Sequence, residues 1–262
     1  MAVGGEFGLA DGRAVALRLA GPADVPAITR LYRDLSPGSF YGRFHGGQMA
    51  PSLLARFASI GGGTVCLVAG PLAEPGRLAA EARYVRVGSG TAELALTVGD
   101  GYQGAGMGRL LLGALVERAR ADGFERLRAV VLLSNTAMRR LLQRYGWVLA
   151  APVEEFSVAC LEISVTGGMP GWPAGSTGQR VLVERRGWFD DQQVAALRSA
   201  GNDVRQCTGP LHQLRTCPLV SSGQCRLAEQ ADQIVSLLPQ DEPDCAAVLA
   251  AHRRNWPHRL AQ

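Results

Sequence analysis

Lysine is absent from this 262-residue chain: all 27 basic residues are arginine, set against 23 acidic ones for a net charge of +4. A coding bias toward arginine, alanine and glycine explains the composition, and it means that no side chain here can carry a lysine-directed modification. So small a positive excess, with no basic helix and no aromatic-basic platform, argues against nucleic-acid binding. No apolar run reaches the ~18 residues that a membrane span requires, so no membrane partner is expected. The opening residues MAVGGEFGLADG lack a basic n-region and a long apolar core, so no secretory signal is expected. Six cysteines without export features point to reduced thiols and a cytoplasmic location rather than a disulfide framework. Aromatics are sparse at 6%, yet 47% hydrophobic residues are ample for a packed core, which excludes global disorder.

What the chain does have is glycine in one telling place. An apolar, strand-like run at 92–98 passes through the turn Gly99 to Gly106 into an amphipathic helix at 106–121. Gln103-Gly104-Ala105-Gly106-Met107-Gly108 spans that junction. A helix opening on glycines offers unpaired backbone N–H groups and the positive end of its dipole. Missing Cβ atoms let a phosphate approach. A P-loop would need Lys-Ser/Thr after the last glycine, and Arg109 stands there instead. A dinucleotide fingerprint would need an acid about 20 residues on, at a strand end. Glu117 lies too close, inside the helix, and Glu125 precedes a strand. A second block follows: a β-branched run at 127–133, then Asn135 as an N-cap, an apolar helical stripe at 137–145 and Gly146 as its C′ residue.

The Q-x-x-G-x-G order resembles the phosphate-arm signature of GCN5-related N-acetyltransferases. The blocks AELALTVGDGYQGAGMG, SNTAMRRLLQRYGWV and LSPGSFYGRF are similar to catalytic domains of bacterial protein lysine acetyltransferases, including the type fused to a cyclic-nucleotide-binding domain. The similarity covers about residues 14–165. It implies an acetyl-coenzyme A-dependent transfer to an amine, plausibly a protein lysine, with the pyrophosphate held at Gln103, Gly104, Ala105, Gly106, Met107, Gly108 and Arg109. It implies further coenzyme contacts from Leu96, Thr97, Val98 and Asn135, and a general base at Glu93. Strand alternation puts Glu93, Ala95 and Thr97 on one face. A carboxylate can take the proton of an attacking amine directly or through water. Many acetyltransferases place a general-acid tyrosine seven residues after the Asn, whereas Leu142 occupies that position here. Tyr145 lies about 300° further round the helix.

Along the chain, strands are expected at 14–19, 64–69, 78–87, 92–98 and 127–133, with a last strand or hairpin through 147–165. Helices are expected at 23–35, 51–59, 106–121 and 137–145. The fold class is therefore α/β: an acetyltransferase-type mixed central sheet with helices on both faces. Residues 166–178, with five glycines and two prolines, read as a linker between an acetyltransferase domain at 1–165 and a small α/β module at 179–262. Strands at 180–184, 203–207 and 233–238, with helices at 190–200, 227–232 and 244–254, give that module the order of a truncated receiver- or flavodoxin-like fold. It is expected to fold on its own.

Cys207, His212, Cys217 and Cys225 are weak candidate metal ligands in the module. Their C-x4-H-x4-C-x7-C spacing has no tight C-x2-C knuckle, so buried thiols are the expected reading and zinc is not. Two functions remain at this stage. One is an N-acetyltransferase whose C-terminal module regulates or targets it; the other is a non-catalytic acyl-coenzyme A sensor or adaptor. Glu93 favours the first, and Leu142 leaves room for the second.

Overall fold

The computed structural model describes residues 4–151, 157–172, 175–186, 192–210, 213 and 215–261. The chain forms two compact units, Met1–Leu127 and Arg128–Gln262.

The first unit is built on five antiparallel strands in sequential order: β1 (Gly5–Gly8), β2 (Ala14–Leu19), β3 (Val65–Pro71), β4 (Ala80–Gly88) and β5 (Thr91–Val98). Three short helices, α1 (Val25–Arg33), α2 (Pro37–Phe44) and α3 (Pro51–Ala58), fill the β2–β3 connection, and each carries a proline in its first turn. Proline suits that position because the N–H it lacks would have no intrahelical partner. The fourth helix, α4 (Met107–Ala121), follows β5. Composition did not reveal β1, because GEFG is short and half glycine.

Register separates the two faces of this sheet. Tyr84 pairs with Leu94. Tyr84 bonds Asp122 just beyond α4 and meets the Phe124 ring edge-on at 5.3 Å, so this is the α4 face. Glu81, Arg83 and Val85 pair with Thr97, Ala95 and Glu93. They lie on the other face, where Ile28, Tyr32, Leu54, Ala58, Cys66 and Val68 form the core under α1 and α3. Gly70 in β3 admits no side chain, since a Cβ there would lie 2.1 Å from the Arg77 carbonyl oxygen.

One carboxylate on that face is fully buried. Glu81 accepts hydrogen bonds from the Tyr32 hydroxyl at 2.6 Å and Arg83 Nε at 3.0 Å, with the Thr97 hydroxyl at 3.4 Å and Arg43 3.5 Å away. Arg83 in turn donates to the carbonyls of Phe57, Ala58 and Ser59 at the end of α3. Its charge thereby meets the negative end of that helix. Burial alone would raise the Glu81 pKa, but the Arg83 and Arg43 guanidiniums and the Tyr32 hydroxyl hold it below the usual carboxylate range.

The second unit contains most of β6 (Arg126–Leu132), then α5 (Thr136–Tyr145), β7 (Val148–Ala151), β8 (Val158–Ser164), β9 (Arg180–Glu184), α6 (Gln192–Ser199) and β10 (Asp203–Cys207). It ends with α7 (Pro218–Ser222), α8 (Arg226–Gln230), β11 (Gln233–Ser236), α9 (Pro243–Asn255) and the short β12 (Leu260–Ala261). Its strand order is β6-β8-β7-β10-β9-β11-β12, and the last four strands run parallel. Placing β10 and β11 on either side of β9 is the order of a flavodoxin-type doubly wound sheet. The α7 segment and β12 escaped the sequence because they are five and two residues long.

Residues 166–178, read from composition as a linker, lie within the second compact unit. The reason lies in β7, which pairs antiparallel with β10 through Leu149↔Cys207 and Ala150↔Gln206. Gln213 reinforces the junction, accepting from Val148 N–H at 3.0 Å and donating to the Val148 carbonyl at 2.7 Å. Met169 and Trp172 of the glycine-rich stretch are core residues, packed with Trp147, Leu149, Leu182, Leu227 and Ile234. The Trp172 indole N–H donates to the Leu227 carbonyl at 2.8 Å. Gly146 also has a different role from the one its position suggests. Its φ of −169° is extended rather than left-handed, and a Cβ there would lie 2.8 Å from the Gly167 carbonyl oxygen. Close backbone approach, not helix termination, is what excludes a side chain.

Two measurements test this packing. Glu81→Ala leaves Arg43 and Arg83 without their buried partner, so denaturant unfolding should show a loss of about 3–5 kcal/mol. Because the folded-state pKa of Glu81 is depressed, its stabilisation is complete above the unfolded value near 4.3 and fades below it. The melting temperatures of wild type and Glu81→Gln should therefore converge as pH falls below about 4. A chain ending at Gly168 removes the partner of β7 and uncovers Trp147 and Leu149. It should be poorly soluble; a soluble, cooperatively melting product would show that the two segments are separable.

Candidate active site

The end of β5 and the start of α4 are shaped by backbone constraints before any side chain acts. Gly99 N–H donates to the Ala79 carbonyl and Tyr102 N–H to the Gly99 carbonyl, each at 2.8 Å, which closes a tight turn after Val98. Gly104 and Gly106 then adopt φ of +76° and +95°, a left-handed conformation costly to residues with a Cβ. A Cβ on either would meet no atom within 4 Å, so the space beside both is open. Buried neighbours hold the loop from below. Tyr102 lies under the Arg13 guanidinium, 3.9 Å from the ring centre, and Arg13 donates to the Gly101 carbonyl at 2.8 Å. Ala10 N–H donates to the buried Ala105 at 3.0 Å.

Gly106 is the N-cap of α4 and offers no capping side chain. The first helical N–H groups therefore lack an intrahelical acceptor. Met107 is buried and anchors the first turn, which has no acidic residue. Gly108 is half-buried in the same turn, and Arg109 beside it is exposed, with no hydrogen bond or ion pair to any described residue. Dipole and free N–H groups thus face open space, with an exposed arginine in the same turn. The arrangement suits a phosphate or pyrophosphate.

The other expected site residues of this unit flank that loop. Gln103 is exposed, and its Nε2 donates to the Val98 carbonyl at 3.1 Å and to the Ser39 hydroxyl at 3.0 Å. Leu96 is half-buried opposite Ala82, and Val98 is half-buried opposite Ala80. Thr97 is buried, and its hydroxyl accepts from Arg43 Nε at 3.0 Å. Glu93 is half-buried, opposite the exposed Val85 and on the same face as Ala95 and Thr97. Of the two glutamates on this face, Glu81 is unsuited to proton abstraction, being wholly enclosed with two guanidiniums stabilising its charge. Glu93 is the partly exposed one of the two.

Asn135, in the second unit, is the N-cap of α5, and its Oδ1 accepts from Met138 N–H at 3.0 Å. Leu142 is fully buried, and the Tyr145 hydroxyl donates to the Val165 carbonyl at 3.1 Å, which gives this tyrosine a structural partner. Cys207, Cys217 and Cys225 are buried free thiols. Burial raises all three pKa values, Cys225 to about 12, so none is disposed to ionise. Among the described residues no group of three or more His, Cys, Asp or Glu is placed to hold a metal. His212 lies outside the described residues.

Sequence reasoning did not single out Glu81, Arg43 or Asp100. The RF pair of the LSPGSFYGRF block marked Arg43 as part of a motif, but its partners lie 38 and 54 positions away on β4 and β5, beyond any local pattern.

Comparison with known proteins agrees with this geometry. Residues 29–147 match the profile of the Acetyltransferase (GNAT) family. Acetyltransferase PA5475 of Pseudomonas aeruginosa is 31% identical over 145 residues, covering 53% of this chain and 78% of that protein. Acetyltransferase Pat of Mycolicibacterium smegmatis is 44% identical over 92 residues, 34% of this chain. That match spans only 27% of Pat's length. Among solved structures, the GNAT domain of S. lividans PAT superposes with a TM-score of 0.54 at 27% identity, covering 62% of this chain and 96% of that one. The chain belongs to the GNAT acetyltransferase family. Its mixed sheet with flanking helices is the fold of that family.

The loop makes a direct test possible. Gly106→Glu puts a side chain and a negative charge into the open space at the start of α4, and calorimetric binding of acetyl-coenzyme A should be abolished. Gly106→Ala should keep the open space but weaken binding, because the left-handed backbone costs about 1–2 kcal/mol with a Cβ. Unchanged affinity in both variants would remove the loop from the site.

Proposed function

We propose that this chain is an acetyl-coenzyme A-dependent N-acetyltransferase that transfers the acetyl group to an amine, a protein lysine side chain, in the cytoplasm. The observation that carries the reading is the loop at the end of β5. Left-handed glycines at 104 and 106 open α4, with its bare first turn and an exposed Arg109 that has no hydrogen bond or ion pair to any described residue. Family membership supports the acyl chemistry, and the similarity to Pat supports lysine as the acceptor.

In this reading the 103–109 loop holds the pyrophosphate and the end of β5, Leu96 to Val98, guides the pantetheine. The acceptor amine reaches the thioester from the face of β5 that carries Glu93. Glu93 takes a proton from the amine, directly or through water, as nitrogen attacks the acetyl carbonyl. The new C–N bond forms, the C–S bond breaks, and the coenzyme thiolate is protonated from solvent, since Leu142 stands where many relatives of this fold place a tyrosine acid. The coenzyme loop and Glu93 both lie within 1–165, so residues 179–262 are assigned regulation or targeting rather than chemistry. This sequence has no lysine side chain of its own to acetylate.

The buried Leu142 and the committed Tyr145 hydroxyl favour one alternative, a non-catalytic acyl-coenzyme A sensor or adaptor. Glu93→Gln separates the two. Coenzyme affinity should persist while acetylation of a panel of lysine-bearing proteins falls about 10²- to 10⁴-fold, the usual worth of a positioned base. Equal rates near neutral pH would dismiss Glu93 as the base, and no turnover by wild type with any amine would favour the sensor.

A further inference from the structure

The turn before the coenzyme loop holds a carboxylate that neither the fold nor the proposed chemistry has used. Asp100 Oδ2 accepts from Ser36 N–H at 2.8 Å, and its Oδ1 accepts from the hydroxyls of Ser36 at 2.8 Å and Ser39 at 2.5 Å. Ser36 is the N-cap of α2, accepting from Ser39 N–H at 3.3 Å, so this carboxylate sits at the positive end of that helix. The Ser39 hydroxyl also accepts from Gln103 Nε2, which donates as well to the Val98 carbonyl. The last residue of β5, the first residue of the glycine loop and the first turn of α2 therefore meet at a single cluster. At the other end of α2, Arg43 donates to Thr97 on β5. The helix is pinned at both ends to the stretch of backbone that leads into the loop.

We propose that Asp100 is a positioning residue that couples the coenzyme loop to α2, so that occupation of the loop sets the helix on the acceptor side of the site. The inference rests on the acetyltransferase reading. A charged acceptor fits the role because it takes three donors at once. Ser36 and Ser39 fit because a hydroxyl can donate to Asp100 while accepting from its own helix or from Gln103. Burial acts against ionisation of Asp100, but the Ser39 and Ser36 hydrogen bonds outweigh it and keep the group below the usual carboxylate range. The charge is therefore present at neutral pH. With Asp100 neutral, or with Ser39 lacking its hydroxyl, the loop can still present glycines and helix N–H groups to a phosphate, but movement there no longer reaches α2.

Hydrogen exchange on the full chain, with acetyl-coenzyme A as the added probe, reads the coupling without knowledge of the acceptor. In wild type, the coenzyme should slow exchange in both 103–109 and 36–44. In Asp100→Asn and in Ser39→Ala, protection of 103–109 should persist while that of 36–44 falls by about tenfold, the effect of one or two net hydrogen bonds. Ser39→Thr, which keeps the hydroxyl, should restore it. Equal protection of 36–44 in wild type, Asp100→Asn and Ser39→Ala would overturn the coupling, as would a wild type whose coenzyme protects 103–109 alone. If Asp100→Asn does not fold, the Ser39→Ala and Ser39→Thr pair decides the same question. A wild type that shows no calorimetric binding of acetyl-coenzyme A would instead bring down the acetyltransferase reading itself.

Discussion

The carboxylate of Glu81 is the interaction on which the first unit depends. It is fully enclosed, and it connects α1 through Tyr32, α2 through Arg43 and β5 through Thr97. Through Arg83 it reaches the carbonyls that end α3. A buried charge is costly unless its partners are positioned to hold it. α1 buries four of its nine residues and α3 two of its eight, but α2 buries none. Their placement over the sheet therefore depends on satisfying that charge, not on apolar packing alone. This explains how a surface rich in small elements can present a defined face beside β5.

The glycine loop depends on a different constraint. Its left-handed residues and tight turn are backbone choices that few other residues tolerate, and its support comes from Arg13, Tyr102 and Ala10 below it. What it offers a ligand is mostly backbone: N–H groups at a helix start, with the exposed Arg109 in the same turn. Such a site can be rigid without being large. Of the two glutamates on one face of the neighbouring strands, Glu81 is enclosed and ion-paired, whereas Glu93 is partly exposed.

In the second unit, the composition and the packing tell different stories. A stretch with five glycines and two prolines reads as slack, yet Met169 and Trp172 within it are core residues. Only the pairing of β7 with β10 reveals why, because that ladder places residues from either side of the stretch in one core. Gly146 teaches the same lesson at one residue. Its position suggested helix termination, and its surroundings demand close backbone approach to Gly167.

The sequence by itself determined the elements and the loop. The apolar alternation of β5, the glycines at 104 and 106, and the cap at Asn135 are local patterns whose physics acts within a few residues, and β2, β9 and β10 fell on the bounds read from residue type. The three blocks that carry the family resemblance were legible for the same reason, since each is contiguous. Tertiary structure alone decided what holds those blocks together. Glu81 with Arg43 and Thr97, and Asp100 with Ser36 and Ser39, join positions up to 64 residues apart. Nothing in a strand or helix period encodes such a pairing, because a hydrogen bond between distant residues depends on where the whole sheet brings them, and a buried charge reveals its partners only once it is buried.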